Sequence, residues 1–167
     1  MTAVDERPLG SATTPAELLR RTLRRHAAGV VVITVPGPAG FTATSFTSVS
    51  LKPALVSFYL AAGSSTAPVV RAAEAFTVHV LRRDQEDLAR RFATSGIDRF
   101  GGAGWSEGPH GTPLLDGVSA RLTARPVGLH PVGDHLLVVG EVLDAHTEGG
   151  APLVHHDGGY GGFDPGT

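Results

Sequence analysis

The chain has 167 residues, which suits one domain, and its 14 basic and 16 acidic side chains give a formal net charge of −2. That near balance argues against a nucleic-acid-binding surface, which needs a basic excess, and a hydrophobic content of 41% excludes a disordered chain. The 22 glycines and 12 prolines favour short strands joined by turns, and the absence of cysteine excludes disulfides and thiolate chemistry.

The N-terminal region is predicted to form a flexible lead followed by one helix. Residues 1–13 are polar or small and lack the apolar stretch of a signal peptide. Residues 14–17 have the form of a helix start, with a threonine cap, a proline in the first turn and a glutamate that completes a capping box. Leucines at helical spacing extend this helix to about His26, and Gly29 ends it.

The β-branched run of residues 30–35 predicts a buried strand. It is also the longest strongly apolar run, far short of the roughly 20 residues of a membrane helix, so we expect no contact with a membrane and a cytoplasmic protein. Further strands are predicted at residues 41–50, 55–60, 76–81, 118–127 and 136–146. Short strands with short connections favour an antiparallel barrel or sandwich that carries helices.

Two short helices and a mobile tail complete the prediction. The first helix opens at residues 62–66 and runs to about Ala73, and the second covers residues 85–93 with Asp84 as its cap. The tail from Gly158 to Thr167 is glycine-rich and is predicted to be mobile at its end.

Residues 42–50 form an unusual segment in which six of nine side chains carry a hydroxyl. Hydroxyls, and backbone amides beside small side chains, suit a polar, planar or phosphorylated ligand that lies along a strand. The alternative is a solvated strand edge whose threonines serve β propensity. The sequence leaves both interpretations open.

Residues 63–66 lie just before a predicted helix, where free amides and hydroxyls attract an anion such as a phosphate. Helix capping by Ser64 or Ser65 is the alternative. Arg90 and Arg91, on the next predicted helix, can pair with a phosphate, although a solvated helix face is the ordinary reason for such residues.

The remaining motifs give little support for a dinucleotide, metal or nucleophile site. Residues 101–104 are glycine-rich but follow no strand of a βαβ unit, so they do not predict a dinucleotide site. Residues 155–157, His-His-Asp, lack the spacing of a metal site, and no Gly-x-Ser-x-Gly elbow is present. His135, after Asp134 in a predicted turn, is a candidate polar group or simply the first residue of a strand. The pattern favours a protein whose chemistry belongs to a bound cofactor.

In order, these segments resemble the flavin reductase-like family of FMN-binding split barrels, which supplies reduced flavin to two-component monooxygenases. The resemblance covers residues 15–160 and is carried by the following fragments: HAAGVVVIT at 26–34, TATSFTSVSLKP at 42–53, SST at 64–66, FTVHVL at 76–81, DRF at 98–100, PLL at 113–115, GDH at 133–135, GEV at 140–142, and Pro-Leu at 152–153 with the late Tyr160. One departure is His79, because the family usually has asparagine there.

The resemblance implies an antiparallel split β-barrel with short flanking helices at residues 14–160, between the flexible lead 1–13 and a flexible tail 161–167. It implies a homodimer with FMN or FAD at the interface, NADH or NADPH as hydride donor, and a flavin-dependent monooxygenase as partner. The implied flavin contacts are Thr42, Ala43, Thr44, Ser45, Ser48, Val49, Ser64, Ser65 and Thr66, with Arg90 and Arg91 as further phosphate contacts. His135 and Tyr160 are implied near the nicotinamide.

The expected activity is NAD(P)H:flavin oxidoreduction, in which hydride passes from the nicotinamide C4 to flavin N5 without a strong general base. One alternative is a flavin-binding or storage protein without reductase turnover. Another is a haem- or pyridoxal-phosphate-type binder on a related barrel, because a fold does not determine a function.

Overall fold

The computed structural model describes residues 13–166, so residues 1–12 of the predicted lead, together with Thr167, lie outside the described residues. The helices are α1 (Pro15–Leu23), α2 (Ala67–Ala72) and α3 (Glu86–Ala93). The strands are β1 (Ala28–Gly29), β2 (Val31–Val35), β3 (Ala39–Ala43), β4 (Thr47–Leu51), β5 (Ala54–Ala61), β6 (Phe76–Val80), β7 (Trp105–Glu107), β8 (Pro113–Leu115), β9 (Ala120–Val132), β10 (His135–Thr147), β11 (Leu153–His156) and β12 (Gly159–Gly162).

Seven strands form one antiparallel sheet in the order β3-β2-β6-β9-β10-β5-β4. The sheet closes on itself, because Ser45, just after β3, contacts β5: its Oγ accepts a hydrogen bond from the Tyr59 amide at 3.0 Å and donates to the Tyr59 carbonyl at 3.2 Å. The rings of Phe41 and Phe58 also meet across this seam, 5.8 Å apart. The predicted antiparallel split barrel with short helices is confirmed.

Strand β2 is buried on both faces, which explains its unbroken apolar sequence. Val31 and Ile33 belong to the cluster inside the barrel, where Phe58 and Phe76 pack edge to face at 5.2 Å. Val30, just before the strand, and Val32 belong to a second cluster with α3 and the segments that cover the outer face. Alternate side chains of a strand point to opposite faces, so one short run of valines supports both cores.

Buried polar side chains fasten the segment around β8 to the barrel. His79 Nδ1 donates to the Val32 carbonyl at 3.1 Å, and its Nε2 accepts from the Leu115 amide at 3.1 Å. Thr34 Oγ1 donates to the Pro113 carbonyl at 2.7 Å. Burial lowers the pKa of His79 to about 4, so the ring is neutral near pH 7 and both of its nitrogens are used in structural hydrogen bonds.

Two predictions near the N-terminus need correction. The capping box of α1 is present, with Thr14 and Glu17 bonded reciprocally, but the helix ends at Leu23 rather than His26. The reason is a long-range contact: Arg24 Nε donates to Asp157 Oδ1 at 2.8 Å, and the Asp157 amide donates to the Arg24 carbonyl at 2.9 Å. Residues 28 and 29 then pair with β11 instead of ending the helix.

The predicted strand at 41–50 is two strands, β3 and β4, which lie at opposite ends of the sheet order. The chain leaves β3 at residues 44–46, where Ser45 bonds to β5, and continues along the far edge of β5 as β4. The strands predicted at 118–127 and 136–146 are longer, because β9 and β10 form a hairpin around Gly133 and Asp134. His135 is the first residue of β10, as one interpretation of the sequence expected.

Asp84 does not cap α3. Gln85 holds that position, and its Oε1 accepts from the Arg82 amide at 2.9 Å while its Nε2 donates to the Asp116 carbonyl at 3.2 Å. Strands β11 and β12 form a hairpin through Gly162, so the first two residues of the predicted tail 161–167 are paired with β11. The two-residue turn of this hairpin, Asp157-Gly158, has positive φ angles of 48° and 82°, which Asp-Gly favours.

Among residues 13–166, no helix is long and apolar enough to cross a membrane.

Candidate functional site

A cleft of about 410 Å³ lies where β3 leaves the barrel, beside the end of β5, the segment before α2 and the end of α3. It brings together eight of the residues singled out in the sequence. They are Thr42, Ala43, Thr44, Ser45, Ser64, Ser65, Thr66 and His135. A volume of this size is typical of small-molecule sites, which span about 300–1,000 Å³.

One wall of the cleft is residues 42–45, and two of its three hydroxyls have structural partners. Thr42 Oγ1 donates to the Ala89 carbonyl of α3 at 2.7 Å, and Ser45 closes the barrel seam. The exposed Thr44 forms no side-chain hydrogen bond within residues 13–166 and is the hydroxyl that this wall offers to a ligand. Because Ala43 is small and buried, a flat ligand can approach the strand closely.

The opposite wall is the segment before α2, and it presents three hydroxyls without side-chain partners among the described residues. Thr66 is the N-cap residue of α2, yet its side chain makes no capping bond, and helix-start amides bond instead to the carbonyls of Ser64 and Thr66. Ser64 Oγ is buried without a hydrogen-bond partner in the described structure. These observations do not support capping as the role of the serines, and they leave an unsatisfied polar group at the cleft.

Arg99 supplies the positive charge of the cleft. Its Nε donates to the Thr94 carbonyl at 2.9 Å and its Nη1 donates to the Gly40 carbonyl at 2.7 Å. Within residues 13–166 it has no carboxylate partner, so the half-buried guanidinium is fixed in place with its charge uncompensated. Remaining N–H groups of such an arginine are suited to a phosphate.

His135 also lines the cleft and is oriented by its neighbour. Nδ1 of His135 lies 2.6 Å from Asp134 Oδ1, and this hydrogen bond holds the pKa of the Asp134 carboxyl below its usual range. The contact favours the tautomer that carries its proton on Nδ1, so Nε2 is the acceptor available to a ligand.

Five predicted contacts do not line this cleft. Ser48 and Val49 lie on the exposed strand β4. Arg90 donates from Nε and Nη2 to Glu86 at 2.8 and 2.6 Å, and its guanidinium stacks 5.1 Å from the ring centre of Tyr160. The Nη1 of Arg91 donates to the Gly101 carbonyl. The two arginines and Tyr160 therefore have partners within the fold and away from the cleft.

The chain matches a family model described as "Flavin reductase like domain" over residues 23–164. It belongs to the flavin reductase-like family. An NADH:FMN oxidoreductase from Rhodococcus qingshengii is 45% identical over 150 residues, covering 84% of this chain and 78% of the relative.

Solved structures of other proteins agree with this membership. The NADH:FAD oxidoreductase SgcE6 of Streptomyces globisporus C-1027, in complex with NAD and FAD fragments, superposes with a TM-score of 0.86 at 35% identity, covering 92% of this chain and 97% of that one. A nitrilotriacetate monooxygenase component B from Mycobacterium thermoresistibile superposes with a TM-score of 0.85 at 31% identity, covering 90% of this chain and 87% of that one. This flavin reductase-like protein therefore shares its whole barrel with redox enzymes.

Sequence reasoning missed Arg99 as a member of the site. The fragment Asp98-Arg99-Phe100 served only as part of the resemblance, although its neighbours anchor it: Phe100 is buried against Phe92, with ring centres 5.0 Å apart. A basic residue directly before a buried aromatic side chain is held close to the core. That signal separates Arg99 from Arg90 but not from Arg91, which directly precedes the buried Phe92, so the sequence alone could not single out Arg99.

Within residues 13–166, no three histidine, aspartate or glutamate side chains are grouped so that they could hold a metal ion. His155 instead packs against the Tyr160 ring at 5.4 Å.

Proposed function

We propose that this protein is an NAD(P)H:flavin oxidoreductase that delivers reduced flavin to a separate flavin-dependent monooxygenase. The observation that carries the proposal is the cleft itself, where three unpartnered hydroxyls and an anchored arginine face a wall of small side chains. The relatives support it, because one is an NADH:FMN oxidoreductase and another is a monooxygenase component.

The residues present fit a flavin mononucleotide group. Ser64, Ser65, Thr66 and Arg99 would hold the phosphate, and Ser64 Oγ would gain the partner that it lacks within the described structure. Thr44 and the backbone of residues 42–45 would meet the edge of the ring system. We assign the phosphate to Arg99 rather than to Arg90 or Arg91, since the guanidinium of Arg90 is paired with Glu86 and that of Arg91 with Gly101.

When bound, flavin would supply the hydride acceptor and reduced nicotinamide the donor, so the chain's own task is to position two rings. In this proposal, His135 would accept a hydrogen bond at Nε2 from the nicotinamide carboxamide, while Asp134 holds the orientation of the imidazole. No side chain is required to remove a proton from a carbon. Because the bound flavin and nicotinamide would supply the redox chemistry and the chain only positions them, the site is rich in hydroxyls and poor in acid–base pairs.

The proposal includes a homodimer in a reducing cytoplasm, which the absence of cysteine permits. Strand β4 forms one end of the sheet order and exposes Val49 and Leu51, and α1 buries none of its leucines within the described chain. Both surfaces suit a second copy. Contacts of Ser48, Val49 and Tyr160 with flavin or nicotinamide would then form across the dimer.

The direct test is oxidation of NADH and of NADPH, followed at 340 nm with FMN, FAD and riboflavin as acceptors. Consumption that depends on added or bound flavin supports the proposal. A flavin absorption spectrum without consumption of either nucleotide would contradict it and leave a flavin-binding protein. A Soret band in the purified protein would instead indicate a haem binder.

A further inference from the structure

One aromatic side chain of the cleft is not used by the function proposed above. The phenyl and phenol rings that line the cleft are those of Phe41, Tyr59 and Phe92. Phe41 and Phe92 belong to the two cores and are only 7% and 0% exposed, whereas Tyr59 is 41% exposed. The Tyr59 hydroxyl forms no hydrogen bond within residues 13–166. This ring is therefore free to contact a bound molecule.

The backbone that carries the Tyr59 ring is fixed on both sides. Tyr59 pairs with Leu137 of β10 on one side, and on the other its amide and carbonyl both bond to Ser45 Oγ, at 3.0 and 3.2 Å. Tyr59 thus stands directly beside residues 42–45, the wall that the proposed function assigns to the flavin ring system, and the present inference rests on that assignment. A tyrosine has only two side-chain torsions, so an anchored one loses little freedom when it meets a ligand.

Tyr59 lies at the end of the cleft that is remote from the proposed phosphate site. His135 pairs with Ala61, two residues beyond Tyr59, so the side chains of Tyr59 and His135 share one face of the sheet. At about 3.3 Å per residue, Tyr59 and Ala61 are roughly 7 Å apart along the strand. The phosphate-binding segment, residues 64–66, follows only after β5 has ended at Ala61. A flavin whose phosphate is held there would extend its ring system toward Tyr59.

The phenol ring is well matched to a flavin ring system. The isoalloxazine is planar and electron-poor, and a phenol is flat and electron-rich. An offset aromatic contact of this kind contributes roughly two- to ten-fold in affinity beyond the burial of surface. A contact of that size orients a ring and still allows its release, as the delivery of reduced flavin requires.

We propose that the Tyr59 ring stacks on the isoalloxazine of bound flavin and fixes the plane in which that ring system lies. His135, on the same face of the sheet, would then act on the nicotinamide, while Arg99 and residues 64–66 act on the phosphate. Because the stacking does not involve the phosphate, it applies equally to FMN and to riboflavin.

Flavin fluorescence tests this contact and requires no turnover. A phenol in contact with an excited flavin quenches it by donating an electron that then returns, whereas a phenyl ring is too hard to oxidise to do so. FMN bound to the parent chain should be dark, and Tyr59→Phe should raise its fluorescence several-fold with a nearly unchanged Kd. Trp105→Phe is the control, since this single tryptophan does not line the cleft, and its bound FMN should stay dark.

Removal of the whole ring separates stacking from phosphate binding. Tyr59→Ala should weaken FMN and riboflavin by the same factor, roughly three-fold or more, and Tyr59→Phe should retain both affinities. Arg99→Gln provides the contrast, because the loss of a phosphate contact weakens FMN alone.

Two results would overturn the inference while leaving the reductase activity in place. Fluorescence that stays quenched in Tyr59→Phe, and recovers only in Tyr160→Phe, would assign the stacking to Tyr160 across the proposed dimer. A shift of Tyr59→Ala toward the single-chain mass of 17.3 kDa, with bound FMN equally fluorescent in the parent and Tyr59→Phe, would assign the ring to a contact between two copies.

Failure of the proposed function has a different signature. If FMN binds and is quenched by Tyr59 but neither NADH nor NADPH is oxidised, the reductase activity is contradicted and the stacking contact is supported. If neither FMN nor riboflavin binds, both proposals are overturned.

Discussion

Arg99 and Arg90 lie nine positions apart on the chain and have opposite surroundings. Arg99 is held by two backbone carbonyls with no carboxylate partner among the described residues, whereas Arg90 is paired with Glu86 at 2.6 Å. A charge that is fixed and unpaired interacts with an anion without first giving up another partner. The affinity for a ligand that carries a phosphate should therefore depend on Arg99 and should not change when Arg90 is replaced.

We expect Arg99→Gln to weaken FMN binding by roughly ten-fold or more, since a hydrogen bond to a charged group is worth about 1.5–3 kcal/mol. Riboflavin, which lacks the phosphate, should bind with nearly unchanged affinity. Calorimetric titration of both flavins measures the difference, with Arg90→Gln as the matched control. An equal loss for both flavins would show that Arg99 only supports the fold.

His135 gives a second prediction at this scale, through its position beside the cleft. His135→Ala should lower kcat/KM for NADH roughly five-fold or more, because small misplacements of reacting atoms are costly, while flavin affinity stays the same. Steady-state kinetics with NADH varied, paired with a flavin titration, provide the measurement. His130→Ala, an exposed histidine of β9 outside the cleft, is the control. If NADH kinetics are unaffected in a folded His135→Ala protein, that residue merely begins a strand.

Among the structural elements, the segment around β8 is held in part by a neutral imidazole. His79 joins β6 to both β2 and β8, and its burial lowers its pKa from 6.5 to about 4. The unfolded chain therefore binds a proton below about pH 6.5, whereas the folded chain does so only near pH 4. The His79 contribution to stability is complete above pH 6.5 and is lost as the pH falls toward 4.

Urea unfolding should thus show a free energy of unfolding that is lower at pH 5 than at pH 7 by about 2 kcal/mol from this residue. His79→Asn removes the titrating ring and should flatten that part of the pH dependence. The variant should also be less stable at pH 7 by about 1–3 kcal/mol, because the shorter asparagine side chain cannot bond to both the Val32 carbonyl and the Leu115 amide, and one buried group loses its partner. An identical pH dependence in both proteins would contradict the assignment.

Local sequence was sufficient for elements whose determinants are local. The valine run of β2, the capping box of α1 and the short helix before β6 follow from neighbouring residues, and the Asp157-Gly158 turn could have been recognised in the same way. The break between β3 and β4 could not have been recognised from neighbouring residues, because it depends on a hydrogen bond between Ser45 and Tyr59, 14 positions away. The placement of Arg99 similarly depends on Gly40, 59 positions away.

At the scale of the whole molecule, the proposed dimer would cover surfaces that the single chain leaves open. Leu51 is 87% exposed at the end of β4, beside the exposed Val49. Full burial of a leucine side chain contributes about 1.5–3 kcal/mol, so an exposed leucine at a sheet edge favours association with a second chain.

Light scattering should give a mass of about twice the 17.3 kDa of the chain. Leu51→Glu should shift the protein toward the single-chain mass, whereas Lys52→Glu, one residue along, changes the charge without touching the apolar face and should stay dimeric. A monomer that reduces flavin at the full rate would rule out a site completed by a second copy.

The contact between Ser45 and Tyr59 has a consequence for dynamics. The Tyr59 amide exchanges its proton with solvent only when the barrel seam opens, since that proton is donated to Ser45 Oγ. Ser45 and Tyr59 both line the cleft, so a molecule bound there holds the two sides of the seam together. Saturating FMN should slow deuterium uptake at Tyr59 by the factor 1 + [FMN]/Kd if binding requires the closed seam, while amides of the distant hairpin β11–β12 keep their rates. Occupancy of the cleft would then be readable from one backbone proton in the wall of the barrel.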